Sequence, residues 1–84
     1  MVKVKLFANF REIVGSKEIE VNVKSVKELL DLLVKDHPKL KDHFSGDKIK
    51  EYVHIMINGK IVDDLNVGLK QNDVVAIFPP VSGG

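Results

Sequence analysis

The chain has 84 residues, with 13 basic and 12 acidic side chains scattered along it for a formal net charge of +1, and no cysteine. A single domain of this size buries roughly 60–65% of its unfolded surface, enough for one modest core but not for a deep enclosed active site with a cofactor. The even charge balance argues against a nucleic-acid stripe or a polybasic membrane patch, and the lack of thiols excludes a disulfide framework, a thiolate metal site and a cysteine nucleophile.

Hydrophobic residues make up 44% and charged residues 30% of the chain, the composition of an ordinary folded domain. No apolar run approaches the roughly 18–20 residues that span a bilayer. The opening MVKVKLF alternates instead of forming an apolar signal core, so a cytoplasmic location is expected.

Val2, Val4 and Leu6 alternate with Lys3 and Lys5, the period of a half-buried strand. Ile19, Val21 and Val23 repeat it. Between them NFREIVGSK is too long for a tight turn and reads as a loop, with Phe10, Ile13 and Val14 packing beneath it, and Arg11 and Glu12 making a local ion pair or hydrogen bonds, contact with a partner being the minority reading. At Ser25 the period changes. Ser25-Val26-Lys27-Glu28 is a capping box, and Val26, Leu29, Leu30, Leu33 and Val34 form one helical stripe. Pro38 disfavours helical geometry at His37, which ends the helix near Asp36. An irregular stretch or short helical turn follows, with Leu40 and Phe44 turned inward.

Val53, Ile55 and Ile57 then alternate with His54 and Met56. Asn58-Gly59 signals a type I′ hairpin, with Lys60-Ile61-Val62 as its return strand. Asp63-Asp64 reads as turn chemistry and Lys70–Asp73 as another turn. Val74–Phe78 is a continuously apolar last strand. The order β-β-α-β-β-β, with a single main helix, predicts an α+β fold of the β-grasp type. It has a mixed sheet of about five strands, the helix on one face, and the first and last strands side by side and parallel. Residues 1–78 form the domain and 79–84 an extended tail.

Parity then decides which side chains leave the helix side. With Val2, Val4 and Leu6 inward, Phe7 points outward; with Val75 and Ile77 inward, so does Phe78. Met56 and Ile61 extend the same outer face. Such a patch is either a partner surface or a half-buried rim. Beyond it, Pro79 lacks the amide a sheet ladder needs and Pro80 holds it extended. Six residues from Pro79 to Gly84 reach roughly 20 Å at about 3.3 Å each. Val81 offers an apolar anchor, Ser82 follows it, and Gly83 and Gly84 carry no Cβ, so a narrow tunnel can close around them. A terminal Gly-Gly alone favours a frayed end. A proline-stiffened stalk beside an aromatic pair favours a terminal carboxylate presented to an enzyme.

Two stretches carry a family resemblance. VKLFANFREIVGS, through Phe7, Ala8, Arg11, Glu12 and Gly15, and NDVVAIFPPVSGG, through Phe78, Pro79, Pro80, Val81, Gly83 and Gly84, resemble the sulfur-carrier (small) subunit of molybdopterin synthase, the MoaD family of the ubiquitin-like β-grasp superfamily. The resemblance implies a carrier cycle. An E1-like adenylating enzyme, which supplies ATP and Mg²⁺, activates the Gly84 carboxylate, and a sulfur donor protein converts it to a thiocarboxylate. The tail, Pro79 to Gly83, then enters the large subunit of molybdopterin synthase, with Phe7, Met56, Ile61 and Phe78 at the interface. It implies no resident metal or cofactor and no catalysis by this chain alone. A protein modifier that joins lysines, or a sulfur carrier for thiamine or tRNA thiolation, would end in the same Gly-Gly. His37, His43 and His54 fit no common metal template and read as surface histidines.

Overall fold

In the computed structural model the described residues are 1–79. Five strands form one sheet in the order β2-β1-β5-β3-β4: β1 Val2–Leu6, β2 Glu18–Val21, β3 His54–Ile57, β4 Lys60–Val62 and β5 Val74–Phe78. Strand β1 runs antiparallel to β2 and parallel to β5, which it meets at Lys3↔Val74 through Leu6↔Ile77. The β-grasp expectation, with the first and last strands central and parallel, holds. Because they are parallel, both strands end at one rim, and the opposite rim gathers Met1, the β3–β4 turn and the start of β5.

The helix that covers the sheet (α2, Val26–Asp36) begins where the sequence places it. The Ser25 hydroxyl accepts from the Glu28 amide at 3.1 Å, the hydroxyl half of the capping box. It ends at His37, whose backbone (φ −135, ψ 82) has the extended geometry that a following proline favours. Val26, Leu29, Leu30 and Leu33 are at most 2% exposed and meet Val4, Leu6, Ile55, Val75 and Ile77 from the sheet. Each such side chain contributes roughly 1.5–3 kcal/mol by leaving water. Leu40 and Phe44 close one end of this core from a short 3₁₀ turn (Pro38–Leu40) and a four-residue helix (α3, Lys41–Phe44).

The first connection departs from expectation. Residues Ala8–Val14 form a helix (α1), not a loop. No side chain caps its start, where Phe7 is extended. Its end is fixed by Gly15, which sits at φ 86 and donates its amide to the Arg11 carbonyl at 2.8 Å. Phe10 is fully buried, and Ile13 and Val14 pack against the core as expected. Being adjacent on a helix, Arg11 and Glu12 point apart, and no ion pair joins them among the described residues.

The rim opposite the end of β1 is tied by side chains. Asn58 (φ 50) and Gly59 (φ 84) form the type I′ turn. The Asn58 amide group donates to Asp73 at 2.9 Å, and its carbonyl oxygen accepts from the Val74 amide at 2.9 Å. The Lys70 amide and then the Asn58 side chain, both donating to the Asp73 carboxylate, hold its pKa below the ordinary value. Asp64 accepts from the Asn66 amide at 2.8 Å, the turn role expected of it.

Candidate functional site

With α2 on one face, strand parity decides what the other face carries. Lys5, Phe7, Ala76, Phe78, His54, Met56 and Ile61 lie on it, while Leu6, Ile77 and Ile55, their chain neighbours, are buried under the helix. Phe7 and Phe78 stack at the ends of the parallel pair, with ring centroids 4.3 Å apart and planes 12° from parallel. Both rings are half-buried, so the patch is at once a rim and a surface. Beside Phe78 the register places His54, and beside Ala76 it places Met56, whose other neighbour across β4 is Ile61. Ile61 is 72% exposed, more than any other large hydrophobic residue among those described.

The ladder stops where proline chemistry says it must. His54↔Phe78 is the last β3–β5 pair, and Pro79, half-buried, has no amide to donate onward. The described chain therefore ends, at Pro79, on the rim where the two phenylalanines sit. Of the tail residues singled out from the sequence, Pro80, Val81, Ser82, Gly83 and Gly84 lie outside the described residues.

On the other side of Phe7, away from Phe78, a cavity of about 310 Å³ is lined by Lys5, Leu6, Phe7, Arg11, Lys17 and Glu18. The three cations come from β1, from α1 and from the connection between α1 and β2. Lys5 is the outward residue of β1 before Phe7, Arg11 stands on α1, and Lys17 lies opposite Leu6, whose amide donates to the Lys17 carbonyl at 2.9 Å. Glu18, the single carboxylate of the lining, is approached by Lys3 at 3.9 Å.

Residues 4–84 match the ThiS family. The chain belongs to the ThiS family. Among ThiS-like relatives, small archaeal modifier protein 1 of Haloferax volcanii is 36% identical, the match covering 95% of this chain and 97% of that one. The crystal structure of SAMP1 from the same organism superposes with a TM-score of 0.84 at 35% identity, covering 99% of this chain and 98% of that one. The molybdopterin synthase sulfur carrier subunit of Arabidopsis thaliana is 30% identical over 99% of this chain and 82% of that protein. A complex of subunits 1 and 2 of the molybdopterin-converting factor from Helicobacter pylori contains a chain similar at 26% identity and a TM-score of 0.67, covering 99% of this chain and 97% of that one. The protein is thus a ubiquitin-like member of a family of sulfur carriers and modifiers.

The expectation of three surface histidines needs one correction. His54 is exposed and His37 caps α2, but His43 is not a free surface group. Its ring packs edge-on to Phe10 at 5.3 Å and Tyr52 at 5.8 Å, and its Nδ1 is buried without a hydrogen-bond partner among the described residues. No cluster of three or more His, Asp or Glu side chains that could hold a metal ion occurs among the described residues, and no helix among them is long and apolar enough to cross a membrane. Sequence reasoning found Phe7, Phe78, Met56 and Ile61, all of which the sheet brings to one face. It missed the cavity beside Phe7. Strand parity already placed Lys5 outward there, but Arg11 and Lys17 are brought to it by α1 and its glycine cap.

Proposed function

We propose that the protein is a sulfur carrier for building the pterin dithiolene that binds molybdenum or tungsten. The chemistry belongs to the main-chain end. Ionised at neutral pH, the Gly84 carboxylate is inert toward nucleophiles. At an E1-like enzyme that holds ATP and Mg²⁺, it attacks the α-phosphate and expels pyrophosphate, giving an acyl-adenylate. Hydrosulfide released by a donor protein attacks the activated carbonyl carbon, the C–O bond to AMP breaks, and loss of the sulfur-bound proton leaves a thiocarboxylate, with sulfur at the sulfide level throughout. The tail then delivers that sulfur inside the large subunit of molybdopterin synthase. Pro79 and Pro80 stiffen the stalk, Val81 offers an apolar anchor to the partner's groove with Ser82 after it, and Gly83 and Gly84 let the backbone approach the reacting centre.

One observation carries the reading. The stacked Phe7 and Phe78 stand on the face the helix leaves uncovered, at the strand ends from which the tail departs. Docking that face against a partner points the tail into it. The likeness to a plant sulfur carrier subunit and to a chain found in complex with its second subunit supports the same assignment. A second reading, attachment of Gly84 to lysines of other proteins, is favoured by the 36% identity to a small archaeal modifier, and the two uses require the same activation.

The test is to mix the protein with ATP, Mg²⁺ and its cognate activating enzyme and to look by mass spectrometry for AMP on Gly84. In cell lysate, free protein with one oxygen replaced by sulfur marks the carrier, and remnants on lysines mark the modifier. Absence of adenylation refutes both.

A further inference from the structure

We propose that the cavity beside Phe7 receives carboxylates of the protein that docks on the outer sheet face, so that an acidic loop of that partner seats against Lys5, Arg11 and Lys17 next to the root of the tail. The inference rests on the docking reading above and adds the partner's charge to it.

Three observations carry it. The first is local charge. The chain as a whole is close to neutral, yet this lining sets three cations against one carboxylate, and that carboxylate is already approached by Lys3. Among the described residues, the ion pairs are Lys3–Glu18 and Lys27–Asp31, so none engages Lys5, Arg11 or Lys17. The second is position. Phe7 is shared by the cavity and by the aromatic stack, so an occupant is continuous with a partner lying on Phe78, Ala76 and Met56. The third is construction. The backbone brings Lys5 from β1, Arg11 from α1 and Lys17, whose carbonyl accepts from the Leu6 amide, to the lining of one cavity.

Volume and donor type select the occupant. About 310 Å³ is the lower end of small-ligand cavities, room for one or two carboxylate side chains. Arg11 can take a carboxylate with two parallel hydrogen bonds, and the lysines act as point charges. An occupant brought in on the partner's own surface needs no affinity of its own, which suits exposed cations that bind weakly in water.

The opposite rim supplies a control. There a cavity of about 180 Å³ is also lined by two lysines, Lys24 and Lys70, but lies far from the aromatic stack. Amide NMR of the full chain, titrated with an acetylated, amidated tetraglutamate peptide, is expected to shift Phe7, Arg11 and Lys17 well beyond Lys24 and Lys70. The response should vanish in the double variant Arg11→Glu/Lys17→Glu, whose folding the same spectrum reports. An equal response at both rims, or a stronger response to inorganic phosphate at matched ionic strength, overturns the proposal.

In the adenylation assay, the same double variant should raise KM for the carrier roughly tenfold with kcat unchanged, and high salt should erase the difference. Lys24→Glu/Lys70→Glu should leave KM as it is. An unchanged KM in the Arg11/Lys17 variant overturns the cavity's role while leaving the docking face standing. An unchanged KM in Phe78→Ala refutes the docking face itself, and with it the idea that the occupant arrives there.

Discussion

The two faces of the sheet are made by alternate residues of the same strands, yet they obey different rules. The inner face is filled by Val, Leu and Ile side chains with essentially no exposure, closed by α2 and Phe10. The outer face mixes lysine, histidine, methionine and alanine with two half-buried phenylalanines and an isoleucine that stands largely in water. Shape complementarity fixes the first, because a close-packed interior tolerates little change in volume. Nothing within the described chain requires the apolar members of the second. The contrast teaches that an apolar residue on this protein is a fold requirement on one side of the backbone and, under the function proposed above, a docking element on the other.

The comparison can be broken in several ways. The largest effect belongs to neither face. Removing Gly83 and Gly84 should abolish transfer of AMP to the protein, while thermal unfolding followed by circular dichroism stays at the wild-type temperature. If activation survives, the outer face has no tail to aim and its meaning is lost.

Next comes the inner face. Phe10→Ala should cost about 3–5 kcal/mol in urea unfolding, a large part of the stability of a domain this small. A loss under about 1 kcal/mol would mean that α1 is not part of the core. On the outer face the order of effects reverses. Phe78→Ala should weaken association with the activating enzyme by about 2 kcal/mol, roughly thirtyfold in Kd. Its cost in stability should be smaller than that of Phe10→Ala, because both stacked rings are only half-buried. Equal losses of stability for the two variants would erase the distinction between the faces.

The smallest effect lies at the seam where the turn meets β5. Asp73 has a folded-state pKa below its unfolded value, because the Lys70 amide and the Asn58 side chain donate to its carboxylate. Its contribution is therefore fully present above about pH 4, the unfolded value, and is lost as the pH falls through the lower folded value. Asp73→Asn should lower the melting temperature slightly at neutral pH, and the gap to wild type should close on acidification. A gap that widens toward low pH would reverse the assigned shift.

Strand alternation, the Ser25 cap, the Pro38 stop and the Asn58-Gly59 turn are all local signals, and each was legible because a short-range steric or hydrogen-bonding rule produces it. The outer-face residues followed from register alone. What escaped was α1. Seven residues without a polar cap offer too few turns for a periodic stripe, and its N-terminal residue, Ala8, takes a positive φ of 51° that no alanine advertises. Its helicity comes from packing Phe10 into the core and from the left-handed Gly15, and both depend on the assembled sheet. The cationic cavity escaped for the same reason, since Lys5, Arg11 and Lys17 converge only after α1 has formed. His43 looked like a surface group because its aromatic neighbours Phe10 and Tyr52 lie far from it in the chain.

The side-by-side, parallel placement of β1 and β5 also governs how the molecule answers mechanical force. Met1 lies at one pole and Pro79 at the other, so a pull between them slides the two strands along each other. The ladder from Lys3↔Val74 to Leu6↔Ile77 then resists as a set of bonds strained together, not opened one after another. An enzyme that grips the tail and tugs would meet that resistance at once, and could withdraw the extremity through a tunnel without unravelling the handle behind it.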